Sequence, residues 1–496
     1  MTSDANQSPA TIFGHPRGLA TLFFTEMWER YAFYGMRALL ILFLVDAIAE
    51  GGFGMTDRTA TAIYGLYTAG VYVICLPGGW IADRLVGAQR AVLWGAVLIM
   101  IGNAILAIPG SPELFYAGLM FNVFGVGLLK PNISAIVAEL YPEGGVRRDA
   151  GFTLFYIGIN VGAWLGPFVT AWLAQTYGWR VGFASAAVGM ALGIAQYQIT
   201  RRHLGTAGLT PHRPAGDSAT GRDWAYVLVA VAAVVAIAAL GLSGVFDIDA
   251  RAAAEWATWV IVSMAVGYFA YLFLFAGLNA VEKKRVVVIV VLFIACALFW
   301  SGFEQTGSSL NLFAERYTDR MLFGWEVPAG WFQWLNPLFI IMFAPLFSIL
   351  WVALAKRHLD PAAPAQFAFG LILLGLGFLV MVGAATIVAG GGQAAPTWLM
   401  LTYLLHTFGE LCLSPVGLSS MTKLAPQRFV GQMMGIWFLA TSLGNLIAGL
   451  IAGEVTDVGL AEMPGQFMNI FWFGLGCGGL LLLISRPVKN LMGGVR

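Results

Sequence analysis

The sequence predicts an all-α integral membrane protein with fourteen spanning helices. Three observations lead to this prediction: the composition, the spacing of the apolar segments and the distribution of Lys and Arg. Of the 496 residues, 59% are hydrophobic and 11% are charged, whereas a soluble domain is about 25% charged. So few charged side chains cannot cover a water-soluble fold of this size, but a protein surrounded by lipid needs them only in loops and along an internal pathway.

Apolar segments long enough to cross a bilayer, about 20 residues each, follow one another along the whole chain. We predict spans at 18–46, 59–82, 89–108, 113–138, 151–175, 180–199, 224–245, 255–280, 286–312, 330–355, 365–390, 397–421, 432–453 and 465–485. Because their number is even, both termini are expected on the same side of the membrane.

The loops on the two sides differ in Lys and Arg. Nineteen of the 27 basic residues lie in loops or at span ends on one side and five on the other, and the remaining three lie deeper inside spans. The basic side is the cytoplasmic one, so we expect both termini in the cytoplasm of a bacterial cell, with the chain in its inner membrane. The first sixteen residues lack a basic stretch followed by an apolar core, so no cleaved signal peptide is expected.

The chain is predicted to consist of two bundles of six helices separated by an inserted pair. We expect an N-terminal segment 1–17, a first bundle 18–200, a linker 201–223, two inserted helices 224–285, a second bundle 286–486 and a tail 487–496. The inserted pair has no charge in its apolar centres and is predicted to be peripheral, with the bundles related by pseudo-symmetry around a central cavity. A single scaffold of fourteen helices without internal symmetry stays open as an alternative.

Several functional classes are disfavoured by composition. A net charge of +1 gives no basic field for nucleic acid. The four cysteines have no metal-binding spacing, and the five histidines form no HExxH or comparable motif, so neither a metal site nor an embedded enzyme is expected. The cysteines are Cys75, Cys296, Cys412 and Cys477, and the histidines are His15, His203, His212, His358 and His406.

Seven ionisable residues lie inside predicted spans. At roughly 2.5–3.5 kcal/mol each, they are too costly to face lipid and must face one another or water. They are Glu26, Glu29, Arg30, Arg37, Lys130, Glu304 and Glu410. One interpretation is that these charges form ion pairs whose only role is to hold helices together. We favour a proton and substrate pathway, because four acids and three bases cannot all pair.

The first span contains a cluster with helical spacing. Glu26, Glu29 and Arg30 stand at i, i+3 and i+4 and therefore share one helix face, which Tyr34 continues. A nearby guanidinium favours an ionised carboxylate, and losing that partner in a poorly hydrated cavity favours the protonated form. The spacing predicts a proton switch.

Glu304 and Glu410 are each isolated among apolar neighbours, which makes them candidate proton-binding groups. His406 precedes Glu410 by one helical turn and could share its proton, although a packed histidine is the commoner case. Asn160, and Asn336 before Pro337, are further polar groups in spans, where bent and polar midpoints are typical of binding sites.

The loop GGWIADRLVGAQR after the second span contains Asp83, Arg84 and Arg90. We expect a tight cytoplasmic turn that can form a breakable ion-pair latch between helices. The alternative is an ordinary basic cytoplasmic loop, which explains the arginines but not Asp83 with the glycines.

This loop resembles the signature loop of the major facilitator superfamily, and other motifs resemble its proton-dependent oligopeptide transporter (POT) family. They are EMWERYAFYG at 26–35, GVGLLKPN at 125–132, FYIGINVG at 155–162, FWSGFEQ at 299–305, and ELCLSPVGLS at 410–419 with MTKLAP at 421–426. The resemblance covers nearly the whole chain. It implies the major facilitator fold, two six-helix bundles, with the two additional helices of bacterial members.

The resemblance also implies roles for individual residues. Proton coupling falls to Glu26, Glu29, Arg30, Lys130 and Glu304. Peptide binding falls to Arg30 and Lys130 at the carboxylate, to Glu410, Asn160 and Asn336 at the amino end and backbone, to Glu304, and to Tyr34, Tyr72 and Trp437 as pocket walls. Phe33 departs from the family, which usually has two adjacent tyrosines here, so the side-chain preference is expected to differ.

We therefore expect a monomeric symporter in the lipid bilayer that imports di- and tripeptides by alternating access, with protons as coupling ion and no cofactor. Transport of nitrate or another small organic anion is the nearest alternative, although an anion has no amine for Glu410. A channel is a remoter one, since single buried charges on different helices suit a carrier better than an open pore.

Overall fold

The computed structural model describes residues 11–12, 14–143, 145–211, 221–242, 249–357, 359 and 361–493. Its α-helices are Arg17–Val45 (α1), Asp57–Val73 (α2), Cys75–Ile81 (α3), Ala88–Ala107 (α4), Pro112–Glu139 (α5), Gly145–Tyr177 (α6), Trp179–Thr200 (α7), Gly221–Leu242 (α8), Ala250–Leu274 (α9), Ala280–Phe303 (α10), Ser309–Tyr317 (α11), Leu335–Lys356 (α12), Ala363–Ala389 (α13), Pro396–Leu424 (α14), Val430–Thr456 (α15) and Met463–Leu491 (α16). Two short antiparallel hairpins pair Thr11–Ile12 (β1) with His15–Pro16 (β2) and Met321–Leu322 (β3) with Trp325–Glu326 (β4). Most of the predicted N-terminal segment, residues 212–220 of the linker, residues 494–496 of the tail, His212 and His358 lie outside the described residues.

The prediction of fourteen spans is confirmed, because two pairs of helices each form one interrupted span. Helices α2 and α3 are separated at Ile74, where Pro77 has no N–H to donate to the carbonyl of Val73. Helices α10 and α11 are separated by the 3₁₀ turn Glu304–Gly307. Eleven of the described stretches are long and apolar enough to cross a membrane by length and composition. Helix α1 is not among them because of its charged side chains.

The chain forms two compact units. The first contains the residues up to Leu39 and those from Ile74 to the end of α8, and the second contains Leu40–Val73 and the residues from Asp249 onward. Residues 40–73 thus group with the second half of the chain, whereas the predicted domain plan assigns them to the first bundle. The plan of two bundles and an inserted pair stays a prediction.

In the first unit, glycines bring α6 directly against α1. Gly158, Gly162 and Gly166 recur every four residues along α6 and share one helix face. A Cβ at Gly162 would overlap the carbonyl oxygen of Met27, and one at Gly166 would overlap that of Tyr31. Small residues allow this backbone contact in a membrane, where lipid competes equally well for larger apolar side chains.

In the second unit, close contact at glycines likewise packs α2 against α15. A Cβ at Gly65 would lie 3.1 Å from the Cα of Gly449. At the Asp57 end of α2, Arg58 lies 2.8 Å from Asp457 and 3.4 Å from Glu454. Arg251 of α9 lies 2.6 Å from the same Glu454. Helix α9 therefore packs on both α2 and α15.

The first part of the predicted linker belongs to the first unit and is hydrogen-bonded to it. Residues Arg201–Leu204 form a 3₁₀ turn. The side-chain amide of Gln89 donates to the carbonyls of Gly205 and Ala207, and the N–H of Gly208 donates to Glu139. These contacts fix the chain beside the start of α4 and the end of α5.

Replacing Gly162 by alanine should destabilise the protein. In an unconstrained helix the change to alanine is favourable by about 0.5–1 kcal/mol, but here the Cβ must displace the α1 backbone, at a cost of about 1–3 kcal/mol. Thermal unfolding in detergent measures the difference. Gly476→Ala is the matched control, because nothing lies within 4 Å of a Cβ at that helical position. Equal stability of the two variants would contradict the close packing of α1 and α6.

Candidate functional site

Helix α1 carries a buried group of three charges. The Nε of Arg30 lies 3.1 Å from Oε1 of Glu26, one helical turn earlier, and donates a hydrogen bond to Glu29. The side chains are 3%, 3% and 0% exposed for Arg30, Glu26 and Glu29. One guanidinium thus contacts two carboxylates. Helical spacing predicts the contact with Glu26 at i, i+4 but not the contact with the adjacent Glu29.

Each member of this group also has an atom without a hydrogen-bond partner. Nη2 of Arg30, Oε2 of Glu26 and Oε1 of Glu29 are buried and bond to no other described residue. Buried polar atoms in folded proteins are nearly always hydrogen-bonded. These three atoms are exceptions to that rule.

Aromatic rings flank the guanidinium. The Cζ of Arg30 lies 5.2 Å from the ring centroid of Phe33 and 5.9 Å from that of Tyr34, whose ring also lies 5.5 Å from the Cζ of Arg37. These are cation–π distances. Phe33, the residue that departs from the family pattern, is therefore a direct neighbour of Arg30.

Lys130 belongs to the same neighbourhood. It lies on α5, is half-buried, and interacts electrostatically with Glu26 and Arg30. Pro131 follows it within the helix, and the amide of Asn132 donates to the carbonyls of Leu128 (2.7 Å) and Gly78 (3.3 Å). The polar group beside the proline thus bonds to helix carbonyls, as expected for a bent midpoint.

Asn160 is a buried residue of α6 in the first unit. Its amide donates to the carbonyl of Tyr156 at 2.9 Å, one turn earlier in the same helix. It stands two residues before Gly162, which contacts α1 at Met27 and at the Cβ of Arg30. Asn160 is therefore on the helix that packs beside the charged group.

The second unit contains a different polar group. The amide of Asn336, on α12, donates to Oε2 of Glu410 at 2.9 Å and to the hydroxyl of Thr407 at 3.1 Å, both on α14. Glu410 and Asn336 are half-buried. The structure thus brings the two predicted site residues Glu410 and Asn336 together in one hydrogen-bonded group with Thr407. Asn336 and Thr407 are its uncharged members.

Glu304 is buried at the 3₁₀ turn that interrupts the α10–α11 span. Phe303, next to it, stacks on Phe299 with ring centroids 5.6 Å apart and meets Trp300 edge-on at 5.2 Å. These three aromatic residues, which are among the predicted apolar neighbours of Glu304, form one cluster beside it in the chain.

His406 is fully buried among apolar groups. Its ring centroid lies 5.0 Å from that of Phe378 and 6.3 Å from that of Phe303, and its edge contacts Gly377. The packed interpretation of this histidine therefore fits the geometry better than a shared proton with Glu410.

The expected pocket walls differ in surroundings. Tyr34 is half-buried beside the two arginines in the first unit, whereas Tyr72, at the end of α2, is half-buried in the second unit. Trp437 is 7% exposed and packs edge-on against Phe367, with its ring against Gly417. It therefore lies within the packing of α13, α14 and α15.

The predicted gate loop is a single π-helical turn, Ala82–Val86. Arg84 in this turn lies 3.0 Å from Asp223, in the first turn of α8. Asp83 and Arg90 are exposed. An ion pair between helices is thus present, but its acid comes from the inserted helix.

Several neighbours of the predicted site residues were not predicted from the sequence. Asp223 as partner of Arg84 and the position of Cys75, which interacts electrostatically with Lys130 and Arg30, depend on distant parts of the chain and have no local signal. Thr407 stands three residues before Glu410, so helical spacing alone could have found it. No group of three or more potential metal ligands occurs among the described residues.

Fourteen spans with compensated charges buried inside them are typical of a polytopic membrane transporter. A model of the POT family matches residues 89–473. The chain belongs to this family. It is 42% identical over 503 residues to the peptide transporter YePEPT of Yersinia enterocolitica, covering 99% of this chain and 98% of that protein. It is 35% identical to a di-/tripeptide transporter of Lactococcus lactis, covering 99% of both chains.

Solved structures agree with this assignment. A peptide transporter POT in complex with sulfate superposes with a TM-score of 0.91 at 39% identity, covering 98% of both chains. A POT family transporter in complex with 5-aminolevulinic acid gives a TM-score of 0.89 at 34% identity, covering 97% of this chain and 98% of the other. The major facilitator fold implied by the sequence motifs is therefore confirmed.

Replacing Arg30 by methionine should strongly destabilise the first unit. Removing one member of a buried ionic group leaves uncompensated charge, which costs about 3–5 kcal/mol. Thermal unfolding in detergent should show this loss, and adding Glu29→Gln to Arg30→Met should restore most of it, because Glu26 and Lys130 then remain as opposite charges. Arg147→Met is the control, because Arg147 and Glu143 form an exposed pair worth about 0–1 kcal/mol. No recovery in the double variant would show that Arg30 stabilises the fold by packing.

Proposed function

We propose that the protein is a proton-coupled symporter that imports di- and tripeptides by alternating access. The observation that carries the proposal is the buried guanidinium of Arg30, which is shared by two carboxylates and keeps one terminal nitrogen without a partner among the described residues. Such a group can bind a carboxylate and can change its charge when a proton binds to Glu26 or Glu29. Relatives named peptide transporters support this substrate class.

The two ends of a peptide require opposite charges. Arg30 and Lys130 supply positive charge for the peptide carboxylate. The Glu410 carboxylate, oriented by Asn336, supplies negative charge for the ammonium group. Recognition based on the termini leaves the peptide side chains largely unspecified, so the substrate range is broad, and Phe33 and Tyr34 next to Arg30 affect the preference. Glu304 acts as a second proton site, and Asn160, Tyr72 and Trp437 as further binding residues.

The protein is a monomer in the bacterial cytoplasmic membrane, with both termini and the Asp83–Arg84 turn on the cytoplasmic side, because Lys and Arg are concentrated there. Protons are its coupling ion, and it acts as a carrier and not as an enzyme. Counterflow of labelled dialanine in proteoliposomes, with and without a pH gradient, tests this function. Failure of dialanine to exchange, with exchange of nitrate in its place, would favour the anion alternative.

Glu29→Gln should abolish uphill peptide uptake and preserve counterflow. Glutamine keeps a hydrogen-bond acceptor for Arg30 but cannot bind and release the coupling proton, and exchange at equal pH requires no net proton movement. Uptake driven by a pH gradient and counterflow are measured on the same proteoliposomes. Glu143→Gln, an exposed acid of a surface pair, is the control. Loss of counterflow together with uptake would assign Glu29 to substrate binding or to the fold.

Glu410→Ala should weaken binding of peptides with a free amino group by about 2–5 kcal/mol, the range for truncating one partner of a buried charge pair. Peptides with a blocked amino group should be affected much less. Competition against labelled dialanine gives both affinities, and Glu462→Ala, at an exposed acid, is the control. An equal loss for blocked and free peptides would show that Glu410 does not recognise the amine.

A further inference from the structure

The chain between α11 and α12 forms a hairpin with an unusual tip. Strands β3 and β4 are joined by Phe323 and Gly324, whose φ angles are 51° and 80°. Two successive positive φ angles are those of a type I′ turn, which normally takes Asn, Asp or Gly. Phe323 is the one non-glycine residue with positive φ among those that the structure describes. A bulky side chain at this position strains the backbone.

The strained residue is also the most exposed apolar one in the hairpin. Phe323 is 99% exposed, and Met321, Leu322 and Trp325 are 58%, 55% and 42% exposed. Four of the six hairpin residues thus present apolar surface away from the protein. A contiguous exposed apolar patch marks a site of interaction with another protein, a ligand or a membrane.

Ion pairs and hydrogen bonds fix the base of the hairpin, so the exposed tip does not belong to a loose loop. Arg320 is 7% exposed, lies 3.0 Å from Glu315 and 2.8 Å from Glu326, and donates to the carbonyl of Val327 at 2.7 Å. The carboxylate of Asp319 accepts a hydrogen bond from the N–H at the start of β3. These contacts hold the base of the hairpin, and the carboxylates of Glu315 and Glu326 offset the positive charge of Arg320.

The hairpin lies between two candidate membrane spans. It connects a span that ends at Tyr317 to one that begins at Ala329. A series of aromatic rings continues from it, with centroids 5.3 Å apart for Trp325 and Trp331 and 6.3 Å apart for Trp331 and Trp334. Trp is enriched at membrane–water interfaces. This series leads to α12, whose exposed residues include Ile341, Met342, Leu346 and Ile349.

We propose that the β3–β4 hairpin is a membrane anchor, with Phe323 and its apolar neighbours inserted into the interfacial region of the lipid bilayer. The apolar surface of the hairpin is continuous, through the tryptophans, with the lipid-facing surface of α12. The strained turn holds an aromatic ring at the tip, where it reaches furthest into lipid. Because the basic residue Arg320 is paired with two acids, insertion depends on apolar contact and needs no anionic lipid.

The test uses the full chain with Phe323→Cys in a Cys477→Ser background, since the other three cysteines are buried. The new thiol carries a bimane fluorophore, and the protein is placed in phosphatidylcholine vesicles with or without nitroxide-labelled acyl chains. Glu50→Cys, at an exposed acidic residue of the α1–α2 loop, is the matched control. We expect quenching by lipid nitroxide and protection from aqueous iodide at position 323, the reverse at position 50, and no change when anionic lipid is added.

A second variant separates the aromatic ring from the turn. Asparagine tolerates positive φ, so adding Phe323→Asn to a labelled Leu322→Cys protein keeps the turn and should abolish most of the lipid quenching. Equal quenching at positions 323 and 50, or a fluorescence change that follows the protein-to-lipid ratio and so indicates a second copy, would overturn the proposal. So would lipid quenching that is unaffected by Phe323→Asn. Peptide transport does not enter these measurements, which are independent of the proposed function.

Discussion

The compensation of Arg30 by Glu26 and Glu29 is the interaction on which the first helix depends. An isolated charge in a membrane span costs several kcal/mol, and α1 carries four charged side chains near its middle. The contact of Arg30 with Glu26 and Glu29 lowers this cost, and α6 covers the same region. Gly162 of α6 meets the Cβ of Arg30 and the backbone of Met27, so helix packing and charge compensation occur at one place.

The close glycine contacts follow from the solvent. Lipid is as apolar as a leucine side chain, so helices gain little by burying apolar groups against one another and associate through backbone contact and hydrogen bonds instead. The α1–α6 contact at Gly162 and the α2–α15 contact at Gly65 and Gly449 are both of this kind. Such contacts leave no room for a Cβ, and helices held in this way present their polar side chains in fixed positions.

The sequence predicts what is local or periodic and misses what depends on distant residues. Span positions follow from length and apolarity, and the Glu26–Arg30 pair follows from helical spacing. The pairing of Arg84 with Asp223, 139 positions away, has no local signal. The grouping of residues 40–73 with the second unit has none either, because the sequence around Gly65 does not say which helix it contacts. The exposed tip at Phe323 contradicts local turn preferences, which is why only the backbone reveals it.

The two polar groups differ in charge, and this difference links protons to substrate under the proposed function. Glu26, Glu29, Arg30 and Lys130 sum to zero when all are ionised. One proton on either acid makes the group positive and strengthens its attraction for a carboxylate. By reciprocity, a bound carboxylate favours the protonated acid. Glu410 accepts a hydrogen bond from the uncharged side chain of Asn336, and its carboxylate is suited to an ammonium. A carboxylate is suited to the first group and an ammonium to the second, whereas a simple anion is suited only to the first.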